Sequence, residues 1–142
     1  QLLKDWMLLE AFTPVFRTHE GLLPEDNIQV YSDSAIINTF KKFSDINHSL
    51  LPYFKHLIKE KEEEDKQIIS HINHTIKNFQ TKNTGFCVGD QIIIIHQKEY
   101  EDYNKLQKLG WKFVNNNGEL ILIPNKNAKI IVAVKKLDTL FN

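Results

Sequence analysis

The chain has one cysteine, one methionine and a single arginine, Arg17. One thiol, Cys87, closes no intrachain disulfide, so the fold must rest on its core, and a reducing, cytoplasmic setting is expected. One guanidinium is too few for the bidentate contacts by which phosphate and guanine are usually read. The 18 basic and 18 acidic side chains cancel, leaving no general attraction to nucleic acid or anionic lipid. Nucleic-acid binding is therefore expected to be weak at most. Five glycines and four prolines form neither a phosphate-cradling loop nor a Pro-rich linker. No apolar run approaches the roughly 20 residues of a membrane-spanning helix, and no signal-peptide pattern is visible. The first residue is Gln1 rather than Met, which suggests a processed or excised part of a longer polypeptide.

What is present suits a packed domain. Hydrophobic residues make up 42% of the 142 positions and aromatics 11%, enough for one core with or without a helical appendage. The stretch from Ser49 to Phe79 carries the longest helical pattern. Leu50, Phe54, Leu57 and Ile58 form one apolar stripe, and Ile68, Ile69, Ile72, Ile76 and Phe79 form a second. Between them the chain is wholly polar, with Lys59 and Glu63, Lys61 and Asp65, and Glu62 and Lys66 spaced i,i+4. Pro52 is tolerable within a first turn, with Asn47 or Ser49 as N-cap. The spacing predicts one long helix, with a hairpin turning in the charged run as the alternative.

Before it, helical spacing at Leu2, Leu3, Trp6 and Leu9 predicts an opening helix that stops near Pro14. Residues 18–27 read as a loop, 27–31 as a short strand, and Ser32-Asp33-Ser34 as caps for a helix carrying Ala35, Ile36, Phe40 and Phe43. After the polar stretch 81–85, Phe86-Cys87-Val88 and Ile92–Ile95 read as strands, the second buried on both faces. Lys98–Leu109 reads as a helix closed by Gly110. Asn117-Gly118 marks a hairpin between 111–114 and 119–123. Lys129–Val134 reads as a further strand and 135–141 as a short helix.

The fold expected is α+β: N-terminal helices including one long helix, then a small mixed or antiparallel sheet of three to four strands with one or two packing helices. Residues 1–80 form a mainly helical segment with one short strand, 81–85 a linker, and 86–142 a small α/β segment able to join the first in one compact domain.

Candidate chemistry is sparse. His96 ends the buried Ile run, where α/β proteins place functional groups, and Asp90 and Glu119, with Lys98 and Glu99, are candidate acid–base partners. His71 and His74, three apart, are candidate metal ligands with Cys87 and His96 behind them. Trp111, Lys112 and Phe113, with Lys135 and Lys136, read as core and rim rather than a single-strand platform. The tripeptides at Asn47 and Asn73 match the glycosylation sequon by chance. A nuclease pattern fails, because Glu119 is followed by Leu120 and Ile121 where a lysine is needed. No cofactor is expected. The reading that follows is a non-enzymatic interaction or regulatory module, paired with a protein partner or with itself through the long helix. A small hydrolase or nucleotide-processing enzyme using His96 is the alternative.

Overall fold

A computed structural model describes residues 2–19, 21–72, 76, 85–96, 103–125 and 127–137. Three helices come first: α1 (Leu2–Ala11), α2 (Ser34–Ser49) and α3 (Leu51–Glu64). They are followed by β1 (Ile69–His71), β2 (Gly85–Val88), β3 (Ile92–His96), α4 (Tyr103–Lys108), β4 (Lys112–Val114), β5 (Leu120–Ile121) and β6 (Ile130–Val134). The strands form one sheet in the order β1-β2-β3-β6-β4-β5, every neighbouring pair antiparallel. The chain is thus α+β as expected. The sheet is wider than three to four strands, and it is purely antiparallel.

The long helix is not formed. Pro52 sits at the start of α3 and Leu50 separates α3 from α2, because a proline has no N–H to continue the ladder of the preceding helix. At the other end Asp65 turns left-handed, with φ 54°. Ile69, Ser70 and His71 then pair with Val88, Cys87 and Phe86. The i,i+4 charge pairs favour a helix by only tenths of a kcal/mol each, less than a strand ladder and the burial of Ile72 provide. Lys59–Glu63 (3.7 Å) and Lys61–Asp65 form as spaced. Lys66 lies past the helix end and folds back onto Glu60 (2.7 Å) and Glu64 (2.8 Å) instead of Glu62.

The expected strand at 27–31 is a turn. Gln29 N–H donates to Ser32 Oγ (2.7 Å) and Ser32 N–H to the Gln29 carbonyl (3.0 Å), which satisfies locally the groups a strand would pair across a ladder. Residues 135–137 are not helical, and Lys136 has φ 59°; 138–141 and the start of the helix expected at 98 lie outside the described residues.

Other local expectations hold. Asp33 is extended and its Oδ1 accepts from Ile36 N–H at 2.8 Å, capping α2. After α4, Gly110 (φ 88°) donates to the Gln107 carbonyl and Trp111 to that of Leu106, the paired bonds of a Schellman end. Asn115 and Gly118 close the β4–β5 hairpin.

The sheet has two covered faces. Ile92, Ile94, Val132 and Val134 join Met7, Phe43, Leu50, Phe54 and Leu57 in one buried cluster, so residues of both halves of the sequence share a core. Ile93, Ile95, Ile131 and Ala133 join Ile72, Cys87, Leu106, Trp111 and Phe113 in a second. Leu50, Phe54 and Leu57, from which helix-mediated pairing is expected, are therefore core residues. Trp111 and Phe113 are buried as read from the sequence, with Phe113 edge-on to Tyr103 at 5.5 Å. No helix among the described residues is long and apolar enough to cross a membrane.

Tyr53 fastens the helical layer to the sheet. Its hydroxyl donates to the Val88 carbonyl (2.8 Å) and accepts from Gln91 N–H (3.1 Å), gripping both ends of the β2–β3 turn. Gly89 occupies that turn at φ 60°, and a Cβ there would lie 2.2 Å from the Tyr53 hydroxyl. Burial pushes the Tyr53 pKa up to about 12. Tyr53→Phe should therefore lower unfolding free energy by about 1–3 kcal/mol, the cost of leaving partly buried groups unpaired, and Gly89→Ala by at least about 1–2 kcal/mol from its left-handed backbone alone. A raised folded pKa means that the folded state keeps the proton longer than the unfolded chain. Stability is thus unaffected below pH ~10 and falls as pH rises towards 12. Urea titrations of both proteins across this window should show that part of the fall missing in Tyr53→Phe; parallel curves would remove the clamp.

Candidate functional site

The sequence-derived candidates do not meet. Asp90 lies in the β2–β3 turn and His96 at the far end of β3, about 20 Å apart at ~3.3 Å per residue. Glu119 belongs to the β4–β5 loop, accepting from Asn115 Nδ2 (3.0 Å) and facing Lys42 Nζ (4.0 Å). Lys98, Glu99 and His74 lie outside the described residues. His71 is exposed on the edge strand opposite Phe86. Alternation along the paired strands sends Cys87 to one sheet face and His71 and His96 to the other, so Cys87 shares no ion with either. Among the described residues no three His, Cys, Asp or Glu are grouped to hold a metal.

Chemically varied side chains converge elsewhere, beside α1. This helix buries Met7, Leu8 and Ala11, which leaves Trp6 and Glu10, one turn apart, on a flank outside the core. The chain then reverses. Thr13 Oγ1 donates to the carbonyls of Glu10 (2.9 Å) and Val15 (3.0 Å). Asn47 Nδ2 reaches from α2 to the carbonyls of Ala11 (2.9 Å) and Thr13 (3.0 Å). Asn47 is thus a tether between helices rather than a cap. Phe16 stacks on Phe40 of α2, centroids 5.3 Å apart, and carries Arg17 to His19 back alongside α1.

The result is an open concavity of ≈ 500 Å³ lined by Trp6, Glu10, Arg17, His19 and the turn residue Gln29, among others. Trp6 is 53% exposed. A half-open indole beside a guanidinium, an imidazole, a carboxylate and an amide offers an apolar plate for the C–H face of a ligand and both donors and acceptors for its hydroxyls. Trp6 also borders a smaller cavity of ≈ 160 Å³ that it shares with Asp5, His96 and Lys129. His96 therefore finds acidic and basic neighbours, though not the ones read from the sequence. One signal for the larger concavity was in view. Arg17, the lone arginine, stands two residues from His19, and its rarity was read only for what it excludes.

No family profile matches the chain. It is 42% identical over 57 residues to the sulfoquinovosidase of Agrobacterium fabrum, a match covering 40% of this chain and 9% of that protein. It is 38% identical over 60 residues to the intestinal sucrase-isomaltase of Suncus murinus, covering 41% of this chain and 3% of that one. In fold it is similar to a GH31 family sulfoquinovosidase from E. rectale solved with an aza-sugar inhibitor. That superposition has a TM-score of 0.67 at 18% identity and covers 99% of this chain and 23% of the other. The matched stretches span less than a tenth of the length of these two curated relatives. These similarities overturn the expectation of a non-enzymatic interaction or regulatory module: proteins that share its sequence and fold are glycoside hydrolases.

Asn47 holds the reversal that shapes the concavity. Asn47→Asp keeps the size but removes the donor, so it should cost about 1–3 kcal/mol, as Asn47→Ala should, because two carbonyls lose their partner. Each should also speed hydrogen exchange at 15–19. Wild-type stability in Asn47→Asp would show that the tether does not hold the segment.

Proposed function

We propose that the chain is the sugar-facing part of a glycoside hydrolase of the GH31 kind, with Trp6, Glu10, Arg17 and His19 meeting the substrate. The observation that carries the reading is sequence identity of 42% and 38% to two glycosidases of different names; the shared fold supports it.

The division of labour follows from chemistry. Cleaving a glycosidic bond ordinarily takes two carboxyl groups flanking it, about 5–5.5 Å apart with retention and about 6.5–9.5 Å apart with inversion. Glu10 is the sole carboxylate lining the concavity among the described residues. We therefore assign this surface to binding and orienting the sugar, and bond cleavage to carboxylates beyond this set. Glu10 accepts from sugar hydroxyls, Arg17 and His19 donate, and Trp6 covers an apolar ring face. The hydrolase alternative of the sequence reading is favoured here on different residues.

Tryptophan emission separates the outcomes, because Trp6 is half exposed while Trp111 is 4% exposed. Isomaltose, sucrose or a methyl sulfoquinovoside should shift the emission of the chain to the blue, and Trp6→Phe should abolish the response. Arg17→Ala should weaken binding about tenfold or more, since a hydrogen bond to a charged group contributes about 1.5–3 kcal/mol. If none of the three sugars changes Trp6 emission at millimolar concentration, the assignment fails.

A further inference from the structure

The tip of the β4–β5 hairpin carries the one Asn-Gly in the sequence, Asn117-Gly118, a dipeptide prone to spontaneous loss of its side-chain amide. Glycine has no side chain to hinder the approach of its nitrogen to the preceding residue. In that reaction hydroxide takes the proton of Gly118 N–H, and the nitrogen bonds to Asn117 Cγ. The Cγ–Nδ2 bond breaks, and a proton from water completes the ammonia and restores the hydroxide. Water then opens the five-membered imide at either carbonyl. One product is aspartate; the other is isoaspartate, in which the main chain gains one carbon atom.

The structure keeps the two reacting groups in different surroundings. The Asn117 side chain belongs to an exposed residue, whereas Gly118 is buried. Gly118 N–H donates to the Asn115 carbonyl (2.9 Å). Asn115 also holds both neighbours of that nitrogen. Its Oδ1 accepts from Asn117 N–H (3.0 Å) and Glu119 N–H (2.9 Å), the local bonding to which asparagine is suited. Its Nδ2 donates to Glu119 Oε2 (3.0 Å), and its own N–H to the Glu119 carbonyl (2.9 Å). One residue thus supplies acceptors to three consecutive N–H groups.

Helix α2 closes the tip from above. Gly118 has φ 71°, and a Cβ on it would lie 3.2 Å from Ile46 Cδ1 and 3.4 Å from Lys42 Cδ. Ring closure consumes the Gly118 N–H, so its bond to Asn115 is lost whatever path the atoms take. Hydroxide reaches that N–H when the tip lifts from Ile46 and Lys42. We propose that Asn117 is a deamidation site that the folded hairpin holds shut, with Asn115 as the latch and α2 as the cover. An added charge, and in isoaspartate an added main-chain atom, would prevent the tip from reseating. The modification therefore makes local opening irreversible. This inference is independent of the sugar-binding surface.

The test is incubation of the full chain in mildly alkaline buffer, native and in urea, followed by peptide mapping that separates asparagine, aspartate and isoaspartate at 117. Conversion should be at least about tenfold slower in the native chain, since there it must await a local opening. Asn115→Ala should speed native conversion and leave the rate in urea unchanged. Hydrogen exchange at Gly118 should accelerate in the same variant, and emission from Trp111, which is 4% exposed, reports that the variant is folded. Chain converted in urea and then refolded should exchange Gly118 N–H faster than unconverted chain. Equal rates in native buffer and urea would overturn the shielding, and no conversion in urea would overturn the site itself. A folded Asn115→Ala that converts no faster than the wild type would overturn the latch. Full protection of Gly118 after conversion would overturn the claim of irreversibility.

Discussion

Four consecutive isoleucines at 92–95 can meet water on neither side, and the rest of the structure is disposed to satisfy them. Ile92 and Ile94 require a helical layer on one face of the sheet, and Ile93 and Ile95 require a second layer on the other. Both sets are almost completely buried, at 0–2% exposure. Burying a side chain of this size is favourable by about 1.5–3 kcal/mol, so leaving either face open would forgo a large part of a small domain's margin. The helices arrive before the strand in sequence and must come back over it. Tyr53 marks where they land, because its hydroxyl takes both a carbonyl and an N–H at the turn leading into β3.

Signals confined to a few residues were legible in the sequence. The cap at Asp33, the glycine end of α4, the Asn-Gly hairpin and the doubly buried β3 each depend on contacts within one turn or one strand. What could not be read depends on partners far along the chain. Ile69–His71 becomes a strand only because Phe86–Val88 is there to receive it, and taken alone the charges before it look helical. The sheet order is equally non-local: β6, last in sequence, inserts between β3 and β4, so counting strands in sequence order understates the sheet. Local propensity yields to such long-range pairing wherever the helix is supported only by exposed ion pairs.

The candidate site was illegible for a related reason. Its side chains come from a helix flank, an irregular return segment and a turn, and none of these has a period or a spacing to detect. Thr13, Asn47 and Phe16 bring them together, by contacts whose partners lie up to 36 positions away. The sparseness of clustered catalytic residues in the sequence favoured a non-enzymatic reading. For a chain whose matched stretches cover under a tenth of the curated relatives quoted above, that step does not follow. A surface that binds and orients a sugar needs only one side of the reacting bond.

Helix α1 shows how closely binding and folding are tied here. At about 100° per residue, Met7, Leu8 and Ala11 define its buried face. Asp5 then falls on one flank, towards a cavity lined by asparagines of the two loops that flank β5, and Trp6 and Glu10 on the other, towards Arg17 and His19. A small rotation of the helix would move both flanks at once, opening one cavity as it closed the other. That rotation is opposed by the core face and, at the C-terminal end, by the grip of Asn47 on the carbonyls of Ala11 and Thr13. Two concave surfaces with different chemistry are thus held in register by one short helix.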